Sequence, residues 1–410
     1  VTPRLVRTLA WASIGFAVVA LIAAATDTAG LTSSGTVGAA LRLSLPIGLA
    51  GLGGLWSERA GVINIGLEGM LILGTWFGAY GGVELGPWWG VLFGVLGGAL
   101  GGLLHAIATV RFGVDHIISG VAINLLGAGV ARYLNIVVFG DRTGATQSPR
   151  VSGHLGSVSV PFLAGGDLFG WHTPDLFGWF ERRSWVIVSD LAGVLGGLTR
   201  GVSLVVVLGV ALFPLTWWVL WRTPFGLRVR SVGEDPAAAE SLGVDVYRMK
   251  TIAVTISGGL SGLGGAILVL LFAGIYREGQ TGGRGFIGLA AMIFGNWNPA
   301  GLLLGSGLFG YTDALQLRDE HAIHTLLLLV AVLVGVMGAR AVVRGRVGPA
   351  LLWLGAGTAS FLWWDVTDQF PRQLVGTTPH IVTLLVLVFA SQRLRMPAAD
   401  GLVYRRGEAR

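Results

Sequence analysis

The chain has 410 residues, of which 53% are hydrophobic and only 12% charged, with a mean hydropathy of +0.72. Soluble domains carry about 25% charged residues, so the composition excludes an ordinary soluble protein and predicts a chain that crosses the membrane many times. The net charge of +6 is almost all arginine, with Lys250 the one lysine, and reads as a positive-inside bias rather than a nucleic-acid surface; the absence of cysteine excludes disulfides, thiolate nucleophiles and thiolate metal sites.

In chain order, apolar runs predict spans over 9–25, 36–56, 65–81, 88–110, 116–138, 203–221, 251–275, 299–316, 324–339, 347–364 and 378–392. Together they are read as one membrane-embedded domain, 1–410. Residues 9–25 follow Arg4 and Arg7 without a small-residue cleavage site, so they are read as a first span and not a signal peptide. Residues 139–184, rich in proline and glycine, form an extracytoplasmic loop with a short strand or interfacial segment at Val158–Leu163. The loop 222–250 (Arg222, Arg228, Arg230, Arg248, Lys250), the turn 340–346 (Arg340, Arg344, Arg346) and the tail 393–410 are basic. They are expected in the cytoplasm, as are both termini. Six spans return the chain to the cytoplasm at 222, but three from there to 340 leave the parity odd. The missing crossing is assigned to Gly285–Gly295, a short apolar half-helix ended before Asn298-Pro299, where proline suits the first turn of a new helix. Trp88, Trp89, Trp217, Trp218 and Trp221 fall near span ends, as membrane anchors do.

Three polar stretches interrupt this pattern. The first is Ser57–Gly74, S-E-R-A-G-V-I-N-I-G-L-E-G-M-L-I-L-G. It puts Glu58, Arg59, Asn64 and Glu68 inside apolar sequence and loosens the backbone with Gly61, Gly66 and Gly69. Polar groups at membrane depth are tolerated where they face protein or a water-filled path. Glu58 and Arg59 are equally well read as helix caps at the interface. The second stretch, Thr223–Met249, contains R-S-V-G-E-D-P-A-A-A-E-S-L-G. Pro236 starts a short helix, Glu234 and Asp235 face its positive N-terminal end, and Gly243 stops it. By composition alone it is an ordinary connector. The third is Tyr276–Trp297, with E-G-Q-T-G-G-R-G-F-I-G-L-A-A-M-I-F-G-N-W-N-P. Its G-R-G-F-I-G-L-A-A-M-I-F-G aligns with the first stretch by glycine spacing and by Met70 with Met292, which suggests an inverted repeat of broken elements facing a central path.

The first stretch resembles the membrane subunits of ABC importers of the branched-chain amino acid, ribose and nucleoside type, and E-R-A-G-V-I-N-I-G-L-E-G-M is most similar to the nucleoside-uptake branch. The second resembles the coupling loop on which a cytoplasmic ATPase docks, and the G-R-G-F-I run of the third recurs in the nucleoside branch. The resemblance runs from about residue 36 to the final P-A-A-D-G-L-V-Y-R-R-G-E. It departs over 318–377, where the hairpin 324–364 intervenes as an added, lipid-facing pair. It implies an all-α polytopic transmembrane helical bundle of about ten core spans plus that hairpin, with broken helices near the substrate path. It also implies a subunit that is not an enzyme and carries no cofactor. ATP would be bound by partner ABC ATPase subunits, a second, related permease would complete the pore, and an extracytoplasmic binding protein would deliver a nucleoside. ATPase coupling would fall to Gly233, Glu234, Asp235, Pro236, Ala237, Ala238 and Gly243. The substrate path would be lined by Asn64, Glu68, Met70, Asn124, Arg284, Phe286, Met292 and Asn296.

Several of these residues carry a second reading. The planar fork of Arg284 suits a ribose hydroxyl or a partner carboxylate, and equally an interfacial snorkel. Phe286, Phe294 and Trp297 stack on a base or simply pack, and Asn124 and Asn135 line the path or join helices. His105 and His116, beside Arg111 and Asp115, are expected to orient helices. No G-K-[ST] phosphate loop and no histidine metal spacing is present. The rival readings are a sugar or branched-chain amino acid substrate within the same family, and an ion-coupled secondary transporter that needs no ATPase.

Overall fold

The computed structural model describes residues 15–26, 28–143, 146–168, 170–183, 185–318, 320–367 and 394–406. The expected span over 378–392 lies outside them. The fold is helical. The helices are α1 (Gly15–Ala25), α2 (Ser34–Arg59), α3 (Leu67–Glu84), α4 (Pro87–Ala106), α5 (His116–Thr143), α6 (Leu176–Glu181), α7 (Val188–Thr199), α8 (Leu204–Arg222), α9 (Pro224–Glu234), α10 (Pro236–Ser241), α11 (Val246–Ile267), α12 (Arg284–Phe294), α13 (Pro299–Arg318), α14 (Glu320–Val343) and α15 (Val347–Val366). α4 and α11 each run on into a wider π-helical turn, Ile107–Arg111 and Leu268–Ala273. Six helical segments are long and apolar enough to cross a membrane among the described residues, so the chain is a multi-pass membrane protein.

The chain divides into two compact units: 1–41, 158–202 and 311–382 in one, and 42–157, 203–310 and 383–410 in the other. In the first, the hairpin expected over 324–364 forms as α14 and α15, packed through small residues. Gly338 meets Leu354, and Gly357 lies against the Ala331 carbonyl. Its outer faces expose Leu333, Val336, Leu351 and Leu362, as a lipid-facing pair would. Asp190 caps α7 by accepting from the Ile187 amide (3.2 Å) and also takes the Thr32 hydroxyl. α7 lies between Trp185 and the start of α8. The strand expected at Val158–Leu163 is confined to Ser157–Val158, because the chain turns at Pro161 and Phe162 has φ +64°.

The second unit is built on glycine. α3, α4 and α11 approach so closely that side chains are excluded between them. A Cβ on Gly98 would stand 2.3 Å from the Gly258 carbonyl oxygen, and one on Gly262 would stand 2.2 Å from that of Gly94. A Cβ on Gly74 would meet the Gly262 carbonyl at 2.3 Å. Gly94, Gly98 and Gly102 recur every fourth residue on one face of α4, and Gly258 and Gly262 match them on α11. Small residues at such spacing let membrane helices gain contact where lipid removes the usual hydrophobic drive.

Candidate functional site

Between α2 and α3 the chain leaves the helix over residues 60–66. Freed backbone groups would be costly in hydrocarbon, and neighbouring helices satisfy them one by one. Gly61 turns the chain with φ +76°, a conformation that favours glycine. Ser57 donates to the Val62 carbonyl (2.6 Å) and Lys250 Nζ to the Gly61 carbonyl (3.3 Å). His105 Nε2 donates to the Ile63 carbonyl (3.1 Å), with its Nδ1 2.8 Å from the Ser119 hydroxyl. The Ile63 amide donates to His116 Nδ1 (3.4 Å). Asn124 closes the far side: its Nδ2 donates to the Ile65 carbonyl (3.0 Å) and its Oδ1 accepts from the Gly69 amide (2.7 Å). The two histidines thus hold the break from α4 and α5, and Asp115 caps α5 through the amides of Ile117 and Ile118.

The half-helix expected at Gly285–Gly295 is α12, eleven residues long, or about 16 Å. It is gripped at both ends. At its start, Glu68 accepts from the amides of Gly283 (3.0 Å) and Gly285 (2.7 Å), so a carboxylate from the first turn of α3 sits on the positive N-terminal end of α12. A side chain at Gly285 is excluded, since its Cβ would lie 2.6 Å from Glu68 Cα. At its end, Asn296 (φ +53°) and Trp297 (φ +51°) turn the chain before Pro299 opens α13. The Trp297 indole donates to Glu58 Oε2 (2.5 Å), and Arg59 Nη2 donates to the Trp297 carbonyl (2.7 Å) while lying over the Trp221 ring. Glu58 and Arg59 therefore clasp the exit of α12 rather than merely ending α2.

The expected path residues fall into separate groups. Asn64, fully buried, donates to Ser257 Oγ (2.9 Å) and to Met70 Sδ (3.4 Å); its Oδ1 has no partner among the described residues. Glu68 and Arg284 meet the start of α12, where Arg284 Nη1 donates to the Thr281 carbonyl (3.1 Å). Phe286 is half exposed, while Met292 is buried against Gly54. Asn296 lies at the opposite end of α12, where its Oδ1 accepts from the Arg395 amide (2.7 Å), and is not brought together with the others. Ser257 escaped the sequence reading because a serine in a glycine-rich helix carries no distinct signal.

The expected short helix is α10. Asp235 caps it by accepting from the Ala238 amide (3.0 Å), and Gly243 ends it with φ +82°. Ala237, Ala238, Ser241 and Leu242 face outward, Leu242 being 84% exposed, whereas Ala239 is buried. Gly233, just before, is a contact glycine: its Cβ would stand 2.3 Å from the Arg59 carbonyl oxygen. The end of α9, just before α10, and the α2–α3 break are thus in direct contact. The tail packs on the same place. Asp400 is buried beside Glu58, Lys250 and Arg59, and burial pushes its carboxyl up to about 7. The Tyr404 hydroxyl and Arg406 hold the Glu240 carboxyl below the usual range.

Membrane-length helices, two broken elements joined by a buried carboxylate, and a capped surface helix that follows directly on the α9 end touching the break define a transport permease subunit. Residues 36–337 match the family described as branched-chain amino acid transport system / permease component, and the chain belongs to that family. It is 36% identical over 289 residues to the guanosine ABC transporter permease protein NupQ of Bacillus subtilis, covering 68% of this chain and 81% of that one. It is 32% identical over 370 residues to the nucleoside ABC transporter permease protein NupC of Lactococcus lactis, covering 88% and 93%. It is 30% identical over 379 residues to the putative glucose ABC transporter permease protein TsgC13 of Haloferax volcanii, covering 90% and 96%. No solved structure matches the chain. A permease of this family is not itself an enzyme; it works with an ATPase and a substrate-binding partner.

Proposed function

We propose that this chain is the membrane-spanning subunit of an importer that carries nucleosides into the cell, driven by ATP hydrolysis on a partner. It pairs with a second, related permease, and its N- and C-termini, with α10, lie in the cytoplasm. Asn64, Glu68, Met70, Asn124, Arg284, Phe286 and Met292 belong to the moving conduit, and α10 receives the ATPase.

The observation that carries the substrate class is Glu68. Where half-helix N-termini open onto a path they attract anionic groups. Here the N-terminal amides of α12 are already occupied by the chain's own carboxylate. That favours a neutral, hydroxyl-rich solute over an amino acid carboxylate, and it agrees with the guanosine and nucleoside names of two relatives. The likeness to a putative glucose permease keeps a sugar as the second reading. Uptake of labelled guanosine by cells expressing the whole system tests the choice. Unlabelled adenosine should compete, and glucose or leucine in large excess should not. Competition by glucose alone would assign the sugar.

A further inference from the structure

The chain's last described segment, 394–406, is bound at both ends to elements that transport must move. At one end the Arg395 amide donates to Asn296 Oδ1 (2.7 Å), at the exit of α12. In the middle, the Ala399 amide donates to the Gly233 carbonyl (2.9 Å) and the Ala398 amide to Glu234 Oε2 (3.2 Å), at the end of α9. Asp400 is buried there beside Glu58, the residue that holds Trp297. At the other end, the Tyr404 hydroxyl and Arg406 Nε both donate to Glu240 on α10, and the Arg406 amide donates to the Tyr247 hydroxyl (3.3 Å) on α11. One irregular segment, turned at 398–401 where Gly401 has φ +77°, thus joins α10 to the exit of α12. Apolar burial holds the segment only in its middle, at Pro397 and Ala399, while Leu394, Met396 and Leu402 are substantially exposed. Hydrogen bonds at named points hold it.

We propose that residues 394–406 are a strap that carries the displacement of α10 to the inner end of α12, with Tyr404, Arg406 and Asn296 as positioning residues at its two ends. It rests on the reading of α10 as the ATPase-docking helix. α10 is only six residues long, and a short helix on a single pivot would yield under load without moving the core. Glu240, the one acidic side chain within it, is drawn to the strap by a phenol and a guanidinium together. A push on α10 is therefore shared between Gly233, which presses on Arg59, and the strap, which presses on Asn296.

The test is uptake per ATP hydrolysed in proteoliposomes containing the whole importer, with guanosine as the probe. Tyr404→Phe combined with Arg406→Gln removes both donors to Glu240 while keeping bulk. Asn296→Gly keeps the left-handed backbone and removes the acceptor at the other end. Both variants should copurify with the ATPase and hydrolyse ATP, yet transport about tenfold less guanosine per ATP, within the usual span of coupling effects. Exchanging the charges, Glu240→Arg with Arg406→Glu, should recover much of the loss, which a merely structural defect would not. Should one variant fail to assemble, the other and the charge exchange decide. Unchanged uptake per ATP in the assembled variants overturns the strap. Ala238→Trp, run alongside, separates the two readings. If it blocks ATPase docking while the strap variants behave as the parent, only the strap falls; if it docks and transports normally, the docking reading falls and the strap with it.

Discussion

Replacing Glu68 by glutamine tests the grip on α12 with one atom. The carboxylate accepts from two backbone amides, the half-buried one of Gly283 (3.0 Å) and the buried one of Gly285 (2.7 Å). Glutamine offers one acceptor and turns a second donor toward the other amide. One buried N–H is then left unsatisfied, a cost of about 1–3 kcal/mol. The charge opposite the N-terminal end of α12 is lost as well, worth roughly 0.3–2 kcal/mol in a partly buried setting. Together these come to about 1–5 kcal/mol, which lowers the population with α12 seated on α3 by roughly tenfold or more. The glycine packing of α3, α4 and α11 does not involve Glu68, so insertion and assembly should be normal. Hydrogen exchange of the peptide covering 281–287, read by mass spectrometry, should quicken sharply in Glu68→Gln while the α11 peptides stay protected, and uptake should fall. Parental exchange at 281–287 together with parental uptake would refute the assignment.

Other perturbations follow from the same geometry. Gly98→Val forces a side chain against the Gly258 carbonyl, 2.3 Å from its Cβ, and should cost roughly 1–3 kcal/mol or more; Gly129→Val, with nothing within 4 Å of its Cβ, should not, and equal thermal stability of the two purified variants would contradict the packing. Asp400 should make the tail pH-sensitive. Burial raises its carboxyl from 3.8 to about 7, so its contribution is fully present below about pH 4 and is lost as the pH rises through about 7. Proteolysis of the tail should be slower at pH 5 than at pH 8, and Asp400→Asn should flatten that difference; an undiminished difference in the variant would assign it elsewhere. In this cysteine-free chain, Ser231→Cys should be labelled only from the cytoplasm and Ser157→Cys only from outside, and labelling of both from one side would break the proposed orientation.

The sequence made much of this legible because membrane helices advertise themselves by length and apolarity. The span 36–56 extends in the structure by only a few residues, to Ser34–Arg59, and 203–221 shifts by one, to Leu204–Arg222. α12 was found by parity and by its bounding glycines, and α10 by Asp235, Pro236 and Gly243. What stayed hidden depends on partners distant in the chain. Nothing in the sequence shows that Glu68 meets the amides of Gly283 and Gly285, or that Asn296 meets the amide of Arg395. Gly98 and Gly258 carry no sign of each other. α7 went unread because Asp190 interrupts a run too short to span, and its value as a cap depends on a fold back to Ile187. The tail 394–406 is mixed in polarity and irregular, with no periodicity to suggest that it packs against α10.

The most direct test of the account is guanosine uptake into proteoliposomes holding this permease with its partner permease, ATPase and substrate-binding protein. The account predicts uptake that needs ATP and the ATPase, persists when ion gradients are collapsed, and is lost with Ala238→Trp, in which a large side chain stands on the exposed face of α10. Uptake driven by a proton or sodium gradient without the ATPase, and indifferent to Ala238→Trp, would contradict it and make the chain an ion-coupled transporter.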